Sequence, residues 1–346
     1  MRRARAGPHA DRHDHEYGNV AVKAIVQDRY GAPDVLRLRE IERPAAGPGE
    51  VLVRVRAAAV NAHDWHIMRG DPYFIRSTAG LTRPRSRIRG RDFAGEVESV
   101  GAGVTTPGPG DEVFGEADGT FAEYVRVPAN QLAPKPANLT FEQAAAVPLA
   151  ANTALLGIRD LGRVRPGQAV LINGAAGGVG TFAVQIAKAL GAEVTAVCGA
   201  RNADLVRSIG ADHVVDYTRT DFTAGPQRYD LVLDLVANRS LAHCRRALTP
   251  RGTLVLSGGG GGRWLGPVGL IVRALAVSPF VRHSLRPLAA TPRRESLLAL
   301  TELIEAGRIT PVIDRTYPLA DAPTAIRYVE GRHARAKVVI TVAGPA

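Results

Sequence analysis

Seven residues, Gly174-Ala175-Ala176-Gly177-Gly178-Val179-Gly180, carry the clearest chemistry in the chain. Small side chains let a backbone turn tightly and approach a bulky anion. A helix starting directly after such a turn offers that anion unpaired N–H groups and a partial positive charge. The apolar run Ala169-Val170-Leu171-Ile172 before the turn reads as a buried strand, and Phe182–Leu190 after it reads as an amphipathic helix. Strand, glycine turn and helix in that order hold the pyrophosphate of a dinucleotide. The spacing departs slightly from Gly-x-Gly-x-x-Gly, with Ala175 in the first glycine's place. The turn predicts a dinucleotide site at Ala176, Gly177, Gly178 and Val179.

Which dinucleotide it takes is written about twenty residues further on. Sites that prefer NAD place an Asp or Glu there against the ribose hydroxyls. This chain has Val197-Cys198-Gly199-Ala200-Arg201-Asn202, with no acid. Gly199 leaves room for a 2′-phosphate, and the guanidinium of Arg201 can pair with it. The expected cofactor is therefore NADP(H). Ser257, directly after the strand Thr253–Leu256, is assigned to the same site.

Metal and disulfide chemistry have little to draw on. The two cysteines, Cys198 and Cys244, form no C-x-x-C pair, which argues against a disulfide framework and a cysteine zinc lobe. His9, His13 and His15 fall in residues 1–20, a polar, irregular stretch that reads as a disordered extension rather than a metal tract.

The elements around these residues fall into two patterns. Residues 22–127 read as short strands between Gly/Pro turns: Val22–Gln27, Val51–Val60, Phe93–Val100, Glu112–Phe114 and Phe121–Val127, with one short helix over His63–Arg69. Val51, Val53 and Val55 alternate with Leu52, Arg54 and Arg56, the period of a half-buried strand. From about residue 140 strands alternate with helices. A helix over Phe141–Leu161 is followed by strands Ala169–Ile172, Glu193–Val197, His213–Val215, Asp230–Leu233 and Thr253–Leu256. That alternation predicts a parallel sheet covered on both faces. Later strands, Val312–Tyr317 and Val338–Val342, are expected to rejoin the first region.

The expected architecture is α/β. A β-rich domain spans 21–140 and 311–346, and a doubly wound nucleotide domain spans 141–310. Between residues 257 and 290 lie a glycine run, Gly258–Gly262, and the apolar stretch Trp264–Val277. The stretch is too short and interrupted to span a membrane, and is expected to cover the substrate cleft or pack at a dimer contact.

The chain has 346 residues, 45% of them hydrophobic and 22% charged, enough to bury two ordinary cores. No secretory signal opens it, and a cytoplasmic setting is expected. Its formal charge of +11 admits a nucleic-acid partner. The densest basic run, Arg83, Arg85, Arg87, Arg89 and Arg91, has few aromatics interleaved and reads as a solvated loop.

These pieces resemble the zinc-independent medium-chain dehydrogenases/reductases, the quinone oxidoreductase-like proteins, over about Ala21–Val342. The motifs are Val60-Asn61-Ala62-His63-Asp64-Trp65, Gly90-Arg91-Asp92-Phe93-Ala94-Gly95, the glycine turn and Ile209–Tyr217. The tail containing Ile313-Asp314-Arg315-Thr316-Tyr317-Pro318-Leu319 belongs with them. The resemblance implies a GroES-like catalytic domain, a Rossmann domain, an active site between them and a homodimer, pairing edges near Leu285–Ala289.

It also places Asn61 and Asp64 beside the nicotinamide, Thr153 next to its ring and Tyr217 at the 2′-phosphate. Zinc alcohol dehydrogenases have a cysteine where Asn61 stands and a histidine where Arg91 stands. Arg91 stays protonated and cannot ligate a cation. Hydride donation to an electron-poor acceptor, a quinone or an α,β-unsaturated carbonyl, then becomes the expected reaction. Asn61 would polarise the acceptor carbonyl. His66, Tyr73 or water would supply the proton. Arg91 reads as a structural partner of Asp92. The rival readings are a nucleic-acid-binding or regulatory protein that keeps the nucleotide fold, and an alcohol dehydrogenase of the same superfamily.

Overall fold

The computed structural model describes residues 21–257, 268–331 and 334–342. The extension 1–20, the glycines 258–262 and the start of the apolar stretch at Trp264 lie outside the described residues.

The first region is a set of antiparallel strands: β1 (Ala21–Gln27), β2 (Leu36–Glu42), β3 (Glu50–Val60), β4 (Asp92–Val100), β5 (Glu112–Glu116), β6 (Tyr124–Pro128) and β7 (Leu132–Pro134). Helix α1 (Ala62–Arg69) leaves the end of β3. In the first half of β3 Val51, Val53 and Val55 are fully buried and Arg54 and Arg56 are not, but Leu52 is buried too, against Val22 and Tyr124. The second half is buried on both faces. Ala57 and Ala59 join the core under the nucleotide-binding region, while Ala58 and Val60 join the β-rich core. The alanines keep the strand thin enough for both cores to close on it.

The second region is a six-stranded parallel sheet: β8 (Ala169–Asn173), β9 (Glu193–Cys198), β10 (His213–Asp216), β11 (Tyr229–Asp234), β12 (Leu248–Leu256) and β13 (Ser284–Pro287). Its order is β10-β9-β8-β11-β12-β13. The chain winds outward one way from β8 and then the other way from β11. Between β8 and β11 the winding reverses, and ligands bind at the carboxyl ends of the strands at such a point. Val170, Leu171 and Ile172 are fully buried, as a strand covered by helices on both faces requires.

The last strands, β14 (Ile313–Pro318) and β15 (Lys337–Thr341), return to the first sheet, where β15 pairs antiparallel with β3. The register sets Val338 opposite Val60. Lys337 on one strand therefore stands beside Asn61 at the end of the other. On the other side of β3, Ala59 pairs with Asp92 of β4. Three strands far apart in sequence thus bring Asn61, Asp92 and Lys337 to one place.

Two of the differences from the sequence expectation have a local cause. The helix expected over Phe141–Leu161 is three pieces: Phe141–Ala145, Pro148–Leu155 and a π-helical turn at Leu156–Leu161. Pro148 has no N–H to continue the first piece and instead opens the second. β2 went unseen because only Leu36 is buried along it, so no period of two appears.

Candidate active site

The glycine turn joins β8 to the helix Gly178–Ala189. Gly174 has φ +90°, a left-handed conformation that side chains resist. A Cβ on Gly180 would lie 2.2 Å from the Gly174 carbonyl oxygen, so the helix packs against the strand only because Gly180 has none. This cradle fits a dinucleotide pyrophosphate: small residues, a tight turn and a helix N-terminus at the carboxyl edge of the sheet. A second chain segment closes on it, as the N–H of Ala336 donates to the Ala176 carbonyl at 2.8 Å. The Lys337 side chain passes over Gly178, where a Cβ would meet its Cδ at 3.1 Å.

The other sequence-assigned cofactor residues lie along the same edge. Gly199 follows β9, and its Cβ position is 3.6 Å from the ring of Tyr217, which follows β10. Arg201 is exposed on the single turn Ala200–Asn202. Ser257 follows β12, and its N–H donates to the Asp234 carbonyl at the end of β11. Val179 lies in the first turn of the glycine-turn helix and packs on the core. Thr153 is buried in the helix Pro148–Leu155, its hydroxyl donating to the Leu149 carbonyl at 2.7 Å.

Against the turn sits a buried polar cluster. Lys337, 2% exposed, donates from Nζ to Asn61 Oδ1 at 2.6 Å and to Asp92 Oδ2 at 3.2 Å. The Asn61 amide donates to Asp92 at 3.0 Å and more distantly to the Ala59 carbonyl at 3.4 Å. Asp92 also accepts from the Leu149 N–H at 3.1 Å. The Asn61 N–H donates to Asp64 Oδ2 at 2.7 Å, the reciprocal bond that caps α1. Burial pushes the Asp64 carboxyl up to about 7, the Asn61 N–H opposes the shift, and the neighbouring Asp92 adds to it. Burial raises Glu116 as well.

Two sequence expectations are corrected here. Arg91 does not partner Asp92; its guanidinium meets Glu116 at 3.3 Å and Asp118 at 2.9 Å, because Asp92 turns inward to Lys337. The arginine run is not a uniformly solvated loop. Arg87 faces outward to Asp28, whereas Arg89 is buried.

A cavity of about 430 Å³ opens beside the cluster, lined in part by His63, Asp64, Ile67, Arg85, Arg89 and Arg91. Asn61 and Asp64 are thus brought together, with Asp64 in the cavity wall. His66 and Tyr73 are not among the lining residues. His66 stacks on Trp65, with Nδ1 2.7 Å from the Asp71 carbonyl oxygen. A carbonyl only accepts, so that nitrogen carries the hydrogen. Tyr73 lies under the guanidinium of Arg76, 4.7 Å from its ring centroid.

Sequence reasoning missed Lys337, Glu116 and Arg89. For Lys337 a signal exists, a lysine opening the otherwise apolar strand Val338-Val339-Ile340. Glu116 and Arg89 gave none, since surface carboxylates and arginines look the same in a sequence.

Comparison with known proteins agrees with this geometry. Residues 47–137 match the alcohol dehydrogenase GroES-like domain, and residues 209–340 match a family described as zinc-binding dehydrogenase. The chain is 34% identical to the mouse (Mus musculus) "NAD(P)H oxidoreductase RTN4IP1, mitochondrial", covering 94% of this chain and 90% of that protein. It is 32% identical to the Arabidopsis thaliana "NADPH-dependent alkenal/one oxidoreductase, chloroplastic", covering 92% and 79%. The quinone oxidoreductase structure from Coxiella burnetii superposes with a TM-score of 0.81 at 29% identity, covering 94% of this chain and all of that one.

A GroES-like module joined to a Rossmann sheet, with the polar cluster facing the glycine turn, defines a medium-chain dehydrogenase/reductase. Within that class the chain belongs to the quinone oxidoreductase-like branch, and it is an NAD(P)H-dependent oxidoreductase.

Proposed function

We propose that the protein reduces quinones or α,β-unsaturated carbonyls with NADPH and without zinc. The observation carrying this reading is the Lys337–Asn61–Asp92 cluster seated directly against the glycine turn. The ammonium of Lys337 is buried between Asn61 and Asp92, so a fixed positive charge already stands among these oxygen ligands. Arg91 is committed to Glu116 and Asp118. Neither residue suits a zinc shell, which needs deprotonated ligands.

In this reading Ala176, Gly177, Gly178 and Val179 hold the pyrophosphate. Gly199, Arg201 and Tyr217 receive the 2′-phosphate, while Thr153 and Ser257 border the nicotinamide end. The bound cofactor supplies a hydride, and is oxidised as the acceptor's double bond is reduced. An enone takes the hydride at its β-carbon and a proton at its α-carbon; a quinone takes its proton on oxygen. Lys337 favours the negative charge that develops on the acceptor oxygen. The Asn61 amide faces Asp92 and Ala59, so its role is to position Lys337. Asp64, in the cavity wall and holding a proton up to about pH 7, supplies that proton. His66, Tyr73 and water are the rival donors.

The test is NADPH consumption with a small panel of quinones and enones, with NADH in parallel. Turnover with NADPH preferred supports the reading; no consumption with any acceptor overturns it. Asp64→Asn is expected to lower kcat about 100-fold and remove the alkaline limb of its pH profile. The same loss in His66→Gln, with Asp64→Asn unaffected, would move the proton to His66.

The reading extends to a homodimer in the cytoplasm. Among the described residues β13 pairs only with β12, and Val272, Leu275 and Phe280 nearby are exposed. No described helix is long and apolar enough to cross a membrane. Sedimentation and cell fractionation test these two points.

A further inference from the structure

We propose that the acceptor carries a carboxylate, bound by Arg89 and Arg85 in the cavity beside Asp64. This rests on the reductase reading and names its substrate class.

Arg89 is only 4% exposed. Its backbone is fixed on both sides: the N–H donates to the Ile25 carbonyl at 3.1 Å, and its carbonyl accepts from Phe121 at 2.8 Å. One guanidinium nitrogen donates to the Ser86 carbonyl, while Nε is buried without a partner. Among the described residues no carboxylate lies within ion-pair distance of it, in contrast to Arg91, which has two. A buried guanidinium costs several kcal/mol unless its charge and its N–H groups are met. This one lines the cavity wall with most of its donors unspent.

Arg85 lines the same cavity and is exposed, and among the described residues it has no ion pair either. A planar carboxylate matches a guanidinium fork and would supply the missing acceptors. Of the wall carboxylates Asp64 acts most strongly on the Arg89 charge, and burial keeps it protonated up to about 7, so below that pH it leaves room for the ligand's charge. His63 is pushed down to about 4 by burial and by Arg91, so it is neutral near pH 7. Asp118 is already paired with Arg91.

The cavity connects to the proposed chemistry through Asp64, which lines it and also holds Asn61 against Lys337 and the glycine turn. At about 430 Å³ it suits a short acid. The carboxylate would sit at Arg89, with the unsaturated carbonyl reaching from Asp64 towards the turn.

The experiment compares two enones that differ only at one end, (E)-4-oxopent-2-enoate and (E)-pent-3-en-2-one, with the full-length protein and NADPH. The wild type is expected to show kcat/KM about tenfold or more in favour of the acid. Arg89→Gln should bring that ratio near one, and Arg85→Gln should lower it several-fold. Arg85→Gln stands at the exposed mouth and keeps the test open if Arg89→Gln does not fold. Equal use of the two enones, or preference for the neutral one, overturns the proposal.

Turnover of neither enone nor any quinone would instead sink the reductase reading. Calorimetric binding of the saturated acid 4-oxopentanoate to the NADP⁺-loaded protein then decides the carboxylate site. Binding that weakens about tenfold in both variants supports the site, and no binding to the wild type overturns it.

Discussion

The glycine turn and the polar cluster face each other but are built differently. The turn is continuous in sequence, and its geometry follows from local rules: a strand, residues without bulk, and a helix start. The cluster draws Asn61 from the end of β3, Asp92 from the start of β4 and Lys337 from the start of β15, and only sheet register brings them together. The turn should fail through local steric change. The cluster should fail through loss of a charge partner, whichever strand that partner comes from.

The largest expected effect is at the cluster. Lys337→Met leaves Asp92 buried without its cation, at a cost of about 3–5 kcal/mol. Denaturant unfolding measures it. Adding Asp92→Asn should recover much of the loss, because the buried charge goes with its partner. Additive losses in the double variant would show that the two residues act independently, and would break the account of the cluster as one unit.

The turn is tested next by Gly180→Ala. Its methyl would press on the Gly174 carbonyl oxygen, and the strand and helix must part to admit it. The expected cost is about 1–3 kcal/mol, with NADPH affinity down about tenfold or more. Thermal unfolding and cofactor fluorescence report the two effects separately. A variant as stable and as tight-binding as the wild type would mean that the close approach is not needed.

A smaller change is expected at the rim of the cofactor site. Arg201→Ala should lower the preference for NADPH over NADH about tenfold, the worth of one charge-assisted phosphate contact. Parallel kinetics with both cofactors measure the ratio. An unchanged ratio would move 2′-phosphate recognition to another residue along the strand ends.

The same contrast governs what the sequence discloses. The dinucleotide turn, the missing acid near Gly199 and the two-part architecture are readable because each depends on neighbours in the chain. Asn61 and Asp64 were reached through motif resemblance, but their partners were not. The sequence sets Asp92 beside its neighbour Arg91, and nothing local reveals that β15 delivers a lysine to it. The arginine run reads as solvated because burial of Arg89 depends on Ile25 in β1 and Phe121 in the loop before β6, whose backbones hold it from far along the chain. Contacts between segments far apart in the chain decide each of these residues.

The smallest effects concern protonation on the two sides of the cavity wall, and here the signs separate the residues. Asp64 ordinarily titrates near 3.8 and is raised to about 7 in the fold. Between those values the folded protein holds a proton that the unfolded chain has released, so stability falls as pH rises. His63 ordinarily titrates near 6.5 and is lowered to about 4. Between those values the unfolded chain holds the extra proton, so stability rises with pH. Over pH 4 to 6.5 the two oppose, and solvent screening makes the slope from His63, which is exposed, the shallower of the two. Removing either should expose the other. Asp64→Asn should turn the dependence of stability on pH more positive across that window, and His63→Gln should turn it more negative. Glu116, raised by burial, and Asp221, held down to about 2 by Thr223, contribute equally to both variants. Urea unfolding at several pH values reads the two slopes. An unchanged slope in both variants would mean that this wall of the cavity is open to water, and the contrast between a buried cluster and an exposed cofactor rim would fail there first.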